Sequence, residues 1–259
     1  MNMIGVFDSG VGGLSVWREL VLLMPKEKYI YVSDGEYCPY GHKSSDFIIE
    51  RATAITVFLL EKKVDIIVVA CNTATAAAIS YLREHFSIPF VGMEPAIKPA
   101  ALHSETGVVG VLATAGTFKG KLYLDTLARF ATDVKVIEQV GEGLVELVEE
   151  GKLRGLHVEA LLHKYIDPMI EQGADHIVLG CTHYPFLYDT IKKIVGERAE
   201  IINPAPAVAK QTQKIIPYIS TENYGETLFY STGDIKILMR LAHEIAPGIP
   251  KDNFNTIII

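Results

Sequence analysis

The chain has 259 residues, 49% of them hydrophobic, with 24 basic and 31 acidic side chains and a formal charge of −7. This length allows one large domain or two smaller ones with ample core, and the acidic balance argues against a nucleic-acid surface, which needs concentrated Lys and Arg. Mean hydropathy is +0.24, yet no apolar stretch approaches the roughly 20 residues that span a bilayer, and the opening Met1-Asn2-Met3-Ile4-Gly5-Val6-Phe7-Asp8 lacks the basic region of a signal peptide. The expectation is a cytoplasmic protein with no nucleic-acid or membrane partner. A small anionic ligand stays open, because N–H groups at helix starts hold carboxylates without net positive charge. Three scattered cysteines read as free thiols in a reducing compartment, not as a disulfide framework.

Short β-branched runs alternate with amphipathic stretches, the pattern of parallel α/β architecture. A strand near 3–7 runs into the turn Asp8-Ser9-Gly10-Val11-Gly12-Gly13 and the helical Leu14-Ser15-Val16-Trp17-Arg18-Glu19-Leu20. That turn fits neither the dinucleotide G-x-G-x-x-G pattern nor the lysine-bearing P-loop. It instead displays Asp8 and Ser9 at a strand end, with glycines permitting close backbone approach. Next come a strand near 28–33, the loop Cys38-Pro39-Tyr40-Gly41-His42-Lys43-Ser44, a helix over 45–62, a strand over 65–70 and a helix over 73–86. Strands near 89–92 and 108–112, a helix over 118–131, a strand near 133–138 and a helix over 155–172 follow. The last expected elements are a strand over 176–180, a helix over 185–196 and a strand near 199–202.

Two cassettes stand out. Asp65-Ile66-Ile67-Val68-Val69-Ala70-Cys71-Asn72-Thr73 is matched 110 residues later by Asp175-His176-Ile177-Val178-Leu179-Gly180-Cys181-Thr182-His183. Gly5-Val6-Phe7 is echoed by Gly110-Val111-Leu112, and Pro95-Ala96-Ile97 by Pro206-Ala207-Val208, at offsets of 105 to 111 residues in the same order. The reading is two pseudo-symmetric open parallel-sheet α/β domains with the active site in the cleft between them. Residues 1–97 plus 207–259 carry Cys71, and residues 98–206 carry Cys181. Pro95 and Asn203-Pro204-Ala205-Pro206 serve as crossover points.

Cysteines at the carboxyl ends of buried strands sit where open α/β sheets place ligands. Asn72 or Thr73 is a natural N-cap for the helical run after Cys71, and the positive helix end should lower that thiol's pKa. Thr182, His183 or Tyr184 can cap a helix whose first residue is Pro185, and His183 can trade protons with Cys181. Two thiols facing one carbon suggest proton exchange with inversion. The plainer alternative, a small buried hydrophobe, suits a single cysteine better than a matched pair with polar flanks. Cys38 with His42, or Cys181 with His183, could suggest a zinc pair. Structural zinc sites, however, use closely paired CxxC ligands, and catalytic ones three protein ligands.

In their order along the chain, GVFDSGVGGLSV at 5–16, PYGHKS at 39–44, ACNTATA at 70–76, the turn Ala113-Thr114-Ala115-Gly116-Thr117, LVEEG at 147–151 and GCTHYPFL at 180–187 resemble the glutamate racemases of the aspartate/glutamate racemase superfamily. The resemblance implies cofactor-independent interconversion of L- and D-glutamate for cell-wall peptidoglycan. It implies Cys71 as base on the D-enantiomer and Cys181 on the L-enantiomer, with Asp8, His183 and Glu149 assisting proton transfer. Ser9, Tyr40, Gly41, Asn72, Thr73 and Thr182, together with Asp8 and His183, would contact substrate, and Thr114 and Thr117 are secondary candidates. No metal or pyridoxal group is implied, and the expected partners are the small-molecule substrate glutamate and a second copy of the chain in a homodimer. Departures from the family pattern are Asp34-Gly35-Glu36-Tyr37-Cys38 before the Pro39-Tyr40-Gly41 turn, Val140-Gly141-Glu142 before the second-domain helix, and Gly120 where serine is frequent. Competing readings are an aspartate racemase, disfavoured by His183, a thiol redox or metal-binding protein using Cys38, Cys71 and Cys181, and a non-catalytic binding descendant.

Overall fold

The computed structural model describes residues 2–94, 96–220 and 225–259, so the crossover expected at Pro95 lies outside the described residues. The strands are β1 (Met3–Asp8), β2 (Lys28–Ser33), β3 (Ile66–Val69), β4 (Phe90–Gly92), β5 (Val108–Ala113), β6 (Lys135–Val140), β7 (His176–Gly180), β8 (Glu200–Ile202), β9 (Thr227–Ser231) and β10 (Phe254–Thr256). The helices are α1 (Leu14–Leu23), α2 (Ser45–Glu61), α3 (Asn72–His85), α4 (Ile97–His103), α5 (Ala115–Phe118), α6 (Lys121–Phe130), α7 (Leu144–Glu149), α8 (Leu156–Glu171), α9 (Tyr188–Val195), α10 (Ala205–Ile215) and α11 (Ile235–Ile245). Among the described residues no helix is long and apolar enough to cross a membrane.

The strands form two sheets, ordered β10-β9-β2-β1-β3-β4 and β6-β5-β7-β8, and every pairing is parallel. The first four strands and the next four are wound identically, with β1 matching β5, β2 matching β6, β3 matching β7 and β4 matching β8. This is the internal repeat seen in the sequence, now as topology. Both faces of each sheet are covered, so the central strands read as continuous apolar runs, not alternating ones. Ile4, Val6, Ile66 and Val68 share the largest core with Ile177 and Leu179 of the second sheet. Their neighbours Phe7, Ile67 and Val69 face the opposite way, against Ile55, Leu59, Ala74 and Ala78 of α2 and α3. Val109, Val111 and Val178 pack with Ile97 and Tyr123 of α4 and α6.

The structure corrects three expected elements. The helix expected over 118–131 is split into α5 and α6 at Gly120, the N-cap of α6, where a Cβ would lie 2.3 Å from the Cβ of Ala76. The helix expected from 185 begins as a tight 3-10 turn over Tyr184–Leu187, with Phe186 N–H donating to the His183 carbonyl at 3.1 Å, and becomes α-helical only at Tyr188. β6 starts two residues later than expected, on the exposed edge of the smaller sheet. The chain also returns through β9 and β10, which extend the first sheet beyond β2. β10 is three residues long, too short to announce itself by pattern.

Candidate active site

Asp8, Cys71 and Cys181 all stand at carboxyl ends of adjacent or equivalent central strands, where parallel sheets expose backbone and side chains to a ligand. Asp8 closes β1, Cys71 follows β3, and Cys181 follows β7. Cys71 itself caps α3, its Sγ accepting from the Ala74 N–H at 3.4 Å, so the cap is one residue earlier than the expected Asn72 or Thr73. The expected drop in that thiol's pKa is also reversed. Burial, reinforced by the nearby charges of Asp8 and Cys181, pushes Cys71 up to about 12 despite the bonds from Ala74 and Ser9. At neutral pH it is therefore a thiol, ready to give a proton. Desolvation at a closed site outweighs the partial charge of one helix end.

A continuous polar chain links the surroundings of the two thiols. Cys71 Sγ lies 3.8 Å from Ser9 Oγ, which donates to Asp8 Oδ1 at 3.0 Å. The Gly10 N–H donates to the same oxygen at 2.8 Å. Thr182, the residue after Cys181, donates to Asp8 Oδ2 at 2.7 Å, and Ser15 Oγ donates to its carbonyl at 2.9 Å. Asp8 is fully buried. Burial raises its pKa, and Glu149 adds to this, against the opposing pull of His183 and the bonds from Thr182 and Gly10.

On the Cys181 side, His183 bridges thiol and carboxylate. Its Nδ1 is 3.7 Å from Cys181 Sγ, and its Nε2 is 2.6 Å from Glu149 Oε1 at the end of α7. Burial alone would lower the imidazole's pKa, but bonds to Cys181, Cys38 and Glu149 outweigh it and hold His183 protonated well above its ordinary range. Glu149 is displaced the other way. Burial would raise it, but the bonds and charge from His183, with the Val11 N–H and Cys38, hold its carboxyl low. The glycines of the first turn make this approach possible: a Cβ on Gly12 would lie 2.3 Å from His183 Nδ1, and one on Gly10 1.9 Å from Glu149 Oε1.

The remaining expected residues divide into two groups. Asn72 is 4% exposed, yet neither Oδ1 nor Nδ2 has a hydrogen-bond partner, an arrangement that costs free energy unless a ligand meets it. Thr73, Thr114 and Thr117 form a hydroxyl chain, with Oγ1 separations of 2.8 and 3.0 Å, that joins α3 to the turn after β5. Gly41 sits against this chain, its position leaving room for Thr114. The Tyr40 hydroxyl points elsewhere and donates to Asp34 Oδ2 at 2.5 Å. Its contribution to the site is therefore the placement of the turn, not a hydroxyl. Asp34 is held in turn by Arg51 at 3.0 and 2.8 Å and by Thr232, a buried brace that the sequence reading missed because its members are up to 198 residues apart. Cys38 turns toward Glu149, 3.5 Å away, and not toward His42. Glu36 is exposed. A cavity of about 420 Å³ adjoins Gly41 and Thr73 and is lined by His42, Lys43, Lys119 and Lys121, a local excess of positive charge on an acidic protein.

The arrangement offers a thiol acid, a second thiol coupled to an imidazolium–carboxylate pair, and a buried carboxylate between them. Comparison with known proteins gives this geometry a context. The sequence profile of the Asp/Glu/Hydantoin racemase family matches residues 11–212. A glutamate racemase of Herpetosiphon aurantiacus is 51% identical over 213 residues, 82% of this chain and 84% of that protein. The crystal structure of a glutamate racemase isoform from Bacillus anthracis superposes with a TM-score of 0.86 at 30% identity, covering 100% of this chain and 97% of that one. A glutamate racemase of Francisella tularensis, solved in complex with D-glutamate, superposes with a TM-score of 0.84 at 28% identity, covering 100% and 97%.

Proposed function

The chain belongs to the Asp/Glu/Hydantoin racemase family, and from that premise we propose that it interconverts L- and D-glutamate by two-base proton transfer between Cys71 and Cys181. The observation that carries this reading is the placement of two buried free thiols after equivalent strands of two sheets, linked through Ser9, Asp8 and Thr182. Inversion at one carbon needs an acid and a base on opposite faces, and a cleft between two matched units supplies them. The units are taken as residues 1–97 with 207–259, and 98–206.

For L-glutamate, Cys181 removes the α-proton while Cys71, a thiol at rest, delivers one to the other face. For D-glutamate the roles exchange. After D-glutamate is converted, Cys181 has given up its proton, and protonated His183 beside it can restore one, with Glu149 holding the imidazole in place. Asp8 sits close enough to bear on Cys71 electrostatically and offers a carboxylate to the substrate ammonium. Charge that develops on the α-carbon spreads into the adjacent carboxylate, so donors aimed there stabilise the transition state. The unpartnered Asn72 amide, the Thr73 and Thr182 hydroxyls, Ser9 and the backbone around Gly41 are the assigned contacts. In this mechanism the protein's own groups carry the proton, with no metal or pyridoxal group.

The lysine-lined cavity beside Thr73 supports an anionic substrate, and the similarity to glutamate racemases supports glutamate over aspartate. Supply of D-glutamate for peptidoglycan in the cytoplasm, by a homodimer, completes the proposal, and size-exclusion chromatography tests the dimer. Circular dichroism of L-glutamate and L-aspartate solutions with the purified protein tests the assignment. Decay of the glutamate signal with little change in aspartate is expected, and a preference for aspartate would overturn it.

A further inference from the structure

Cys38 is assigned no proton-transfer step above, although it bonds to Glu149, and it completes a group that the sequence does not bring together. One ligand atom each from Cys38, Glu149 and His183 lies within 4.8 Å of the other two. The three residues come from the loop after β2, the end of α7 and the turn after β7. Cys38 Sγ is 3.5 Å from Glu149 Oε1, and His183 Nε2 is 2.6 Å from that same oxygen. We propose that Cys38, Glu149 and His183 form a binding site for a zinc-class divalent cation that shuts the enzyme off.

The donor set suits such an ion. Thiolate, imidazole and carboxylate are the ligand types of zinc, and three protein ligands with a water in the fourth position make an open zinc site. Thiolate and carboxylate together also balance a divalent charge. Zinc bonds of roughly 2.0 to 2.3 Å in a tetrahedron hold their ligand atoms about 3.4 to 3.6 Å apart. The Cys38 to Glu149 spacing already meets this, and the His183 to Glu149 hydrogen bond must open by about 0.8 Å. Room for the group depends on Gly10, where a Cβ would lie 1.9 Å from Glu149 Oε1 and 2.8 Å from Cys38 Sγ. Harder ions such as Mg²⁺ prefer six oxygens and do not match.

A cation here would occupy the His183 nitrogen and Glu149 oxygen that now bond each other. Held by the cation, His183 and Glu149 would no longer pair with each other beside Cys181, and the proton exchange that the mechanism assigns to His183 would stop. The inhibition therefore rests on the racemase reading, whereas the site does not. Cadmium binding separates the two, because its thiolate charge-transfer band reports sulfur ligation whether or not the chain racemises glutamate.

The experiment titrates chelator-treated protein with cadmium for the natural sequence, Cys38→Ser and Cys71→Ser, and in parallel measures zinc inhibition of racemisation for the natural sequence and Cys38→Ser. The expected result is one cadmium–thiolate centre per chain that survives in Cys71→Ser and weakens at least tenfold in Cys38→Ser. Zinc should inhibit the natural enzyme and spare Cys38→Ser. Racemisation by Cys38→Ser without metal verifies its fold, and Cys38→Ala carries the same test if the serine variant misfolds. No cadmium band, a band that persists in Cys38→Ser, or one lost in Cys71→Ser would overturn the site.

Discussion

His183 and Glu149 set the charge of the Cys181 side, and their displaced titrations give the pair a defined pH signature. His183 is raised above its ordinary 6.5, so its contribution to stability is complete below 6.5 and fades as pH rises through its folded value. Glu149 is lowered from 4.5, so its contribution is present above 4.5 and fades as pH falls through its folded value. The pair stabilises most between these limits. Replacing Glu149 by Gln should therefore cost most in urea midpoint near pH 5 to 6.5 and progressively less at alkaline pH. It should also reduce turnover by about 10²-fold, the low end of what a positioned proton donor contributes. Equal losses in urea midpoint at pH 5.5 and pH 9 would contradict the ion pair. Much of this residue-scale site was legible in the sequence. Cys71, Cys181, Asp8 and His183 all end apolar runs with polar neighbours, a local signal. Glu149 was reachable only through resemblance, because a Glu in the acidic run Glu146 to Glu150 carries no mark of its role. The pKa of Cys71 was misjudged because helix-end charge is readable from sequence and burial is not.

At the scale of elements, each cysteine cassette opens with an aspartate that fixes the start of its sheet. Asp65 Oδ2 accepts from the Met3 N–H at 2.8 Å, and Asp175 accepts from the N–H groups of Glu105 and Thr106 at 2.6 and 2.9 Å. Both are strand-register devices, written into the repeat but recognisable only once β1 and β5 are seen beside β3 and β7. The split between α5 and α6 shows the reverse case, where amphipathic spacing ran straight through a break that tertiary contact imposes. Gly120 lies against Ala76 of α3, the helix that Cys71 caps. A serine Cβ at this position would lie 2.3 Å from the Cβ of Ala76. Gly120→Ser should therefore cost about 1 to 3 kcal/mol, as overpacking does, measured by urea unfolding. Gly120→Ser combined with Ala76→Gly should recover most of the loss. Unchanged stability in the single variant would show that α3 and α6 can part without cost.

Across the whole molecule, two identically wound four-strand units are completed by a C-terminal segment that returns to the first sheet. Apolar runs and cysteine cassettes announced the units. The return was hidden, since β9 and β10 are short and are secured by distant polar contacts. Asp34 is the centre of that securing: it is fully buried, pairs with Arg51 at 2.8 Å and accepts from Thr232, while Arg51 reaches the Ile259 carbonyl. Removing one partner of a buried pair leaves the other charge uncompensated. Asp34→Ala should thus lose about 3 to 5 kcal/mol and release Tyr40 and its turn. Urea unfolding measures the first effect, and a raised KM for glutamate the second. A loss below 1 kcal/mol would mean that the brace is not structural.

The two-thiol assignment is tested most directly by α-proton exchange in deuterated water, with Cys71→Ser and Cys181→Ser each offered L-glutamate and D-glutamate separately. Both variants should lose racemisation by at least about 10³-fold. Cys71→Ser should still exchange the α-proton of L-glutamate alone, and Cys181→Ser that of D-glutamate alone. Full racemisation by either variant, or exchange of both enantiomers by one of them, would contradict the division of labour between the two cysteines.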